Sequence, residues 1–323
     1  MADLGPGVVT VFGGSGFVGG QVVRALAQRD WRIRVAVRRP VTAIALQPLG
    51  NVGQIQFTRC DITDPEQVAA AMRGADAAVN LVGALHEAPG RSFQRVHVEG
   101  ARNIAEAARA AGVERLVQVS AIGADANSPA AYARTKGEAE AVVRSLIPQA
   151  VILRPSIIFG AGDGFLNRFA RMAGIAPALP LIGGGQTRFQ PVHVGDVAEA
   201  VARGLERPDA AGRTFELGGP GIYSFEDILK LVMRETGRER MLAPLPFFAA
   251  RAIGSLAQLT TLVGIAPVLT RDQVLMLERD NVVAAGADGL AALGVQPTGL
   301  EAIAPGYLWL YRRGGQFAER PAR

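Results

Sequence analysis

Cysteine, histidine and lysine are nearly absent from this chain of 323 residues. Its single thiol, Cys60, excludes an intramolecular disulfide framework and a cysteine-rich zinc site, and it fits a reducing compartment or simple indifference to redox. The three histidines stand at positions 86, 97 and 193 with no metal-ligand spacing, so no metal is expected. No uninterrupted apolar run reaches the ~18 residues of a membrane span. Met1–Gly7 carries neither a basic start nor an apolar run, so no secretory signal is expected ahead of the first strand. Among 34 basic side chains only Lys136 and Lys230 are lysine, which singles out position 136.

What is present is an ordinary globular composition, 49% hydrophobic and 20% charged, with a net charge of +5. That length and apolar content support a core of good size, in one large domain or two smaller ones, and exclude disorder as the main state. The basic balance raises nucleic acid as a partner. The arginines are dispersed and accompany no nucleic-acid motif, so no such partner is expected.

Through the first half, short apolar strands alternate with longer amphipathic segments, the pattern of repeated βαβ units and a parallel sheet. Strands are predicted at Val8–Phe12, Ile33–Val37, Ile55–Thr58, Ala77–Leu81, Leu116–Val119 and Val151–Leu153. Helices are predicted at Gly19–Gln28, Pro65–Met72, Phe93–Ala111 and Ala130–Leu146. The fold class is therefore α/β, a Rossmann-type doubly wound parallel sheet over residues 1–154. After Arg154-Pro155 the texture turns to Gly- and Pro-rich loops, and 155–323 reads as a smaller mixed subdomain interleaved with the first. There a helix is predicted at Gly195–Leu205, a strand at Thr214–Leu217 and a helix at Ser224–Thr236, opened by Ser224 as N-cap with Asp227 three residues on.

The sharpest local signal is a strand running into Gly13-Gly14-Ser15-Gly16-Phe17-Val18-Gly19. Gly13 allows the tight turn, Gly16 lets backbone N–H groups approach a pyrophosphate, and Gly19 lets the helix pack close to the sheet. The helix start then presents its partial positive charge to the phosphates. At the end of the second strand, where an acid would bond the adenosine ribose, stand Arg38-Arg39-Pro40. Two guanidinium groups can clamp a 2′-phosphate, so NADP(H) is expected over NAD(H). The alternative is a solvated pair of surface arginines.

Tyr132 and Lys136 stand four apart on a predicted helix and so share a face. An ammonium beside a phenol stabilises the phenolate, which can then exchange a proton with a carbonyl or alcohol. Ser120 follows the fifth strand, and the next two positions, Ala121 and Ile122, carry no hydroxyl that could polarise a carbonyl.

With these motifs stand Pro155-Ser156-Ile157-Ile158-Phe159-Gly160, then Asp163–Ala170, Gln190–Ala198 and Leu269–Val274. Together they resemble the extended, atypical short-chain dehydrogenases, and most closely the short-chain-dehydrogenase-like accessory subunits of respiratory complex I. The resemblance runs from Val8 to the Gly294 region. It implies that Asp61 and Ile62 hold the adenine edge, and that Leu81, Val82 and Gly83 line the nicotinamide side. It also implies that Ser120, Pro155 and Ile158 contact the cofactor, and that Tyr132 and Lys136 hold it or are vestigial. The implied cofactor is a tightly held NADPH that does not turn over. The implied setting is the quinone-reducing arm of complex I at its junction with the membrane arm, peripheral to the cytoplasmic face of a bacterial inner membrane. A chain so rich in arginine and alanine fits a bacterial source.

His193 and Asp196 read as an architectural histidine and a helix-start acid. In the apolar segment Met241–Val268, Phe247-Phe248, Ala252-Ile253, Leu256, Leu259 and Leu262-Val263 make one helical face. That face either packs on the protein's own core or meets a partner or lipid headgroups, helped by Arg251 and Arg312-Arg313. Two other functions stay open: a free NADPH-dependent reductase, epimerase or dehydratase using Tyr132 and Lys136, and a binding protein that reads the NADP pool.

Overall fold

A computed structural model of the chain describes residues 6–258 and 269–317. The strands in chain order begin with β1 (Val8–Phe12), β2 (Arg32–Val37), β3 (Ile55–Arg59), β4 (Ala77–Asn80), β5 (Arg115–Val119) and β6 (Val151–Pro155). Then come β7 (Ile158–Phe159), β8 (Ala178–Ile182), β9 (Arg188–Phe189), β10 (Val192–His193), β11 (Thr214–Leu217), β12 (Tyr223–Ser224) and β13 (Met241–Leu245). Seven of them form one sheet in the order β11-β6-β5-β4-β1-β2-β3. Its central ladders are parallel, with Val9 opposite Ile33 on one side and Ala77 on the other. Val9, Val11 and Phe12 are fully buried, as expected of a strand covered on both faces. Strand order reverses between β1 and β4, and ligands of such sheets bind beyond the strand ends at that point.

The helices of this half are α1 (Phe17–Ala27), α2 (Pro65–Met72), α3 (Gly100–Ala110) and α4 (Ala131–Leu146). The segment predicted as one helix over Phe93–Ala111 instead opens with a wide π-type stretch, Gln94–Glu99, before α3. Such a stretch changes which side chains face inward, and here Val96, His97 and Val98 are all buried. Pro40–Leu49 forms a tight 3₁₀ helix that the sequence did not signal, because it has prolines at 40 and 48 and no helical repeat.

The later helices are α5 (Leu166–Ile175), α6 (Val194–Glu206), α7 (Phe225–Thr236), α8 (Phe247–Ala257) and α9 (Arg271–Leu277). The chain forms two compact units. One gathers the described residues of Met1–Pro155 with Gly195–Glu216 and Gly286–Val295; the other holds those of Ser156–Val194, Leu217–Ala285 and Gln296–Arg323. In the second, Phe165, Phe169, Phe189 and Phe225 pack with ring centroids 5.2 to 6.4 Å apart. Asp163, in one of the motifs that carry the family resemblance, fixes this core: it accepts from the Phe165 N–H (2.9 Å), the Asn167 N–H (3.2 Å) and the Tyr307 hydroxyl (2.7 Å). The Ser224–Asp227 capping box forms as predicted, and Thr270 with Gln273 makes another. Asp196 stands in the first turn of α6, and His193 packs against Phe159.

Strands β8 and β13 pair in parallel although each contains a proline, Pro180 and Pro244, which hid them from a sequence reading. Proline is tolerated because each strand has an unpaired edge in this two-stranded ribbon. Helix α8 divides the predicted apolar face: Ala250 and Gly254 are buried and Phe247 packs on the core, while Phe248, Ile253 and Leu256 are exposed. Leu259, Leu262 and Val263 lie outside the described residues. Two of the three arginines expected to help that face are already engaged, Arg251 with Glu278 at 2.8 Å and Arg312 with Glu235 at 3.7 Å.

Candidate functional site

The residues singled out from the sequence gather at the C-terminal ends of β1 to β6, with Ile158 the exception, in β7 of the second unit. Gly13 closes β1 with φ +81°, and a Cβ there would stand 3.3 Å from the Val82 backbone nitrogen beyond β4. At Gly19 a Cβ would fall 2.5 Å from the Gly13 carbonyl oxygen, so the packing of α1 on the turn requires glycine. Gly14 packs under Val35, and Ser15 and Gly16 are exposed. Helix α1 starts two residues earlier than predicted, placing Phe17 and Val18 in its first turn, and neither a side-chain cap nor an acid occupies that end.

Beside the turn opens a cavity of about 900 Å³ lined by Ser15, Thr42 and four arginines, Arg38, Arg39, Arg59 and Arg91. Among the described residues none of these four guanidinium groups makes a hydrogen bond or ion pair. Elsewhere in the same unit Arg29, Arg144, Arg154 and Arg207 are bonded to carboxylates or other acceptors. Arg59 and Arg91 escaped the sequence reading, since no local pattern marks them. Register places Arg59 opposite Val37, one residue before Arg38. Arg91 sits on a tight turn closed by backbone bonds with Ala88 at 2.8 and 3.2 Å.

Asp61 accepts from the N–H and hydroxyl of Thr63 at 3.0 and 2.9 Å. Burial pushes its carboxyl upward, but the Thr63 bonds and the charges of Arg38 and Arg91 hold it below the usual range. The Ile62 side chain is committed to the core against Gly100, and its carbonyl takes the Asn103 amide at 2.8 Å.

At the other end, Asn80 donates to Gln118 at 2.9 Å and accepts the Val82 N–H at 3.0 Å, shaping the Leu81–Gly83 turn. The turn is tied down by the Ala84 N–H, which donates to His97 Nε2 at 3.0 Å. His97 Nδ1 lies 2.9 Å from Thr135 Oγ1, whose own proton goes to the Ala131 carbonyl at 2.8 Å. With Nε2 accepting, the network assigns the proton to Nδ1. Burial and the nearby Lys136 charge push His97 down to about 3, so the ring is neutral.

Lys136 is buried beside this histidine, and its Nζ donates to the Val119 carbonyl at 3.2 Å. Burial draws it down to about 8, against the upward pull of Glu140. Tyr132, one turn earlier on α4, sets its ring edge-on to Phe93 and His97, at 5.9 and 5.4 Å. Ser120 is buried with its hydroxyl lacking a hydrogen-bond partner among the described residues. The Pro155 carbonyl accepts the Ile122 N–H at 3.0 Å, and no hydroxyl stands at Ala121 or Ile122. The site thus offers unpaired cations and backbone donors at one end, and a lysine, a tyrosine and a buried orphan hydroxyl at the other.

Among the described residues no group of three His, Cys, Asp or Glu side chains could hold a metal, and no helix is long and apolar enough to cross a membrane. The pattern of the NAD dependent epimerase/dehydratase family matches residues 9–218. The chain is 37% identical to the mitochondrial NADH dehydrogenase [ubiquinone] 1 alpha subcomplex subunit 9 of Mus musculus, over 91% of this chain and 78% of that protein. It is 30% identical to the mitochondrial NADH-ubiquinone oxidoreductase 40 kDa subunit of Neurospora crassa, over 99% of this chain and 84% of that one. Its fold is shared with a dTDP-glucose 4,6-dehydratase from Streptomyces venezuelae, with a TM-score of 0.72 at 19% identity over 94% and 96% of the two chains.

Proposed function

Since the chain belongs to the NAD dependent epimerase/dehydratase family, and is similar over nearly its whole length to subunits of mitochondrial NADH-ubiquinone oxidoreductase, we propose that it is an accessory subunit of a bacterial complex I holding NADPH as a structural cofactor. The observation that carries the nucleotide reading is the convergence of four unpaired guanidinium groups on one cavity. Like charges so placed repel one another unless an anion completes them, and a 2′-phosphate offers about two negative charges and a geometry suited to guanidinium forks. Arg38, Arg39, Arg59 and Arg91 would hold that phosphate, and the uncapped start of α1 the pyrophosphate. Lys136, Tyr132 and the orphan Ser120 hydroxyl would take the polar groups of the nicotinamide end. When bound, such a cofactor supplies hydride chemistry.

Tyr132 and Lys136 serve here to hold the cofactor, because Ala121 and Ile122 offer nothing to polarise a substrate carbonyl. A ligand bound only by the folded state stabilises it, by about 4 kcal/mol at a thousandfold excess over Kd. The subunit would sit peripherally at the cytoplasmic face of the inner membrane, where the quinone-reducing arm meets the membrane arm. A native pull-down from membranes, with identification of the extracted nucleotide, tests this reading. Quinone oxidoreductase subunits and NADPH are expected together. Isolation free of those subunits, with carbonyl-dependent NADPH oxidation that Tyr132→Phe abolishes, would overturn it in favour of a free reductase.

A further inference from the structure

The second unit carries its own cationic cavity, about 790 Å³, at the C-terminal end of α7, lined by Lys230, Arg234, Arg238, Arg240 and Arg313 with Glu239 the one acid. Cations at a helix C-terminus oppose its dipole, which accounts for a basic residue or two in the last turn. Lys230 and Arg234 are also neutralised by Glu226 and Glu235, at 2.8 and 3.0 Å. The other three are not. Arg240 Nε donates to the Ala173 carbonyl at 2.8 Å, and Arg238 donates through one Nη to the Tyr311 carbonyl at 3.4 Å while its Nε is buried without a partner. Arg313 has no partner among the described residues. Backbone carbonyls therefore position the Arg238 and Arg240 guanidinium groups, and among the described residues no carboxylate pairs with any of the three.

Large exposed apolar side chains stand close in sequence to the same cations or to the carbonyls that anchor them. Met241, 71% exposed, follows Arg240, and Ile175, 84% exposed, lies two residues beyond the carbonyl that anchors it. Leu310, 59% exposed, precedes the carbonyl that anchors Arg238, and Phe317, 86% exposed, follows Arg313 by four residues. Anchored cations beside protruding apolar groups make up the composition of an interfacial membrane site. A soluble phosphate has no use for the apolar rim. A small phosphodiester on a lipid can enter the cavity and accept from the guanidinium groups that line it while its acyl chains meet Met241 and Phe317.

We infer that this face of the second unit docks on a bilayer leaflet and takes an anionic phospholipid headgroup among Arg238, Arg240 and Arg313. The inference rests on the proposed membrane-complex setting only for its biological context. Vesicle binding is read on the isolated full chain and complex membership on the membrane pull-down, so either can fail alone.

Flotation with vesicles of phosphatidylcholine, with and without about one-third phosphatidylglycerol, tests it. Binding is expected only on the anionic vesicles and should weaken with salt. Each cation at such a surface is worth about fivefold, so Arg238→Gln with Arg240→Gln should lower binding about 25-fold. Arg313→Gln, on an exposed side chain, should lower it about fivefold without any risk to folding. Met241→Ser with Phe317→Ser should also weaken it, with affinity for inorganic phosphate unchanged. Undiminished vesicle binding by Arg313→Gln and by the double arginine variant would overturn the proposal. So would full competition by inorganic phosphate with the apolar changes silent, which would mark a soluble-anion site, or binding to an acidic protein but to no vesicle.

Discussion

Replacing Arg91 with alanine is expected to move the free and the nucleotide-bound protein in opposite directions. Arg91 shares one cavity with Arg38, Arg39 and Arg59, and burial together with the Arg38 charge draws its pKa down. In the free protein, removing it relieves like-charge repulsion, so thermal stability should hold or rise slightly. In the bound protein, the same change removes a charge-assisted hydrogen bond to phosphate, worth about 1.5–3 kcal/mol. Taking ~2 kcal/mol, the Kd for NADPH rises about 30-fold. At a hundredfold excess over the original Kd, ligand stabilisation then falls from about 2.7 to about 0.9 kcal/mol. At roughly 2 °C per kcal/mol for a chain of this size, the NADPH-induced rise in Tm shrinks from about 5 to about 2 °C. NADH, which lacks the 2′-phosphate, should bind both proteins alike. Titration calorimetry and thermal shift with each nucleotide measure all of this. Equal losses for NADPH and NADH, or a destabilised free protein with unchanged NADPH affinity, would refute the reasoning.

Gly19→Ala puts a Cβ 2.5 Å from the Gly13 carbonyl oxygen, and nothing but backbone can yield there. A loss of about 1–3 kcal/mol in denaturant unfolding should accompany weaker binding of both nucleotides, and a variant as stable as the parent would remove the close-packing argument. Lys136 is held at about 8, below its unfolded value of about 10.4, so the cost of burying its ammonium is present at neutral pH and relieved between about pH 8 and 10. Stability should therefore climb across that window relative to Lys136→Met, and parallel profiles for the two would contradict the burial. His97 is held at about 3 against roughly 6.5 unfolded, so between those values only the unfolded chain takes the proton. Acidification should cost up to about 1.4 kcal/mol per pH unit, and His97→Gln should flatten that limb in pH-dependent urea melts.

The elements that were legible in the sequence are those whose signal is local. Val8–Phe12 running into Gly13, Gly16 and Gly19 declares a strand, a turn and a helix by the pattern of a dozen residues, and β1 and α1 form there. The Ser224–Asp227 box announced the start of α7 in the same way, through hydrogen bonds three residues apart. Helix α8 was half legible: its apolar repeat was visible, but an apolar side chain reads the same whether it is buried like Ala250 or exposed like Phe248. The ribbon of β8 and β13 was hidden because its prolines contradict strand propensity, and pairing across 63 residues leaves no local trace.

The site divides along the same line. By itself the sequence determined the glycine turn, the pair Arg38 and Arg39, and the shared face of Tyr132 and Lys136, because each depends on spacing along one element. Only the tertiary structure decided that Arg59 and Arg91 join the arginine pair, and that Arg251 and Arg312 are engaged elsewhere. It alone brought His97 between the Leu81–Gly83 turn and α4, 38 residues from Thr135 in sequence. The physical reason is that charge and burial are properties of neighbourhoods in space. An arginine carries the same letter whether a carboxylate meets it or not, and what it can bind is settled by which side chains the fold leaves unpaired beside it.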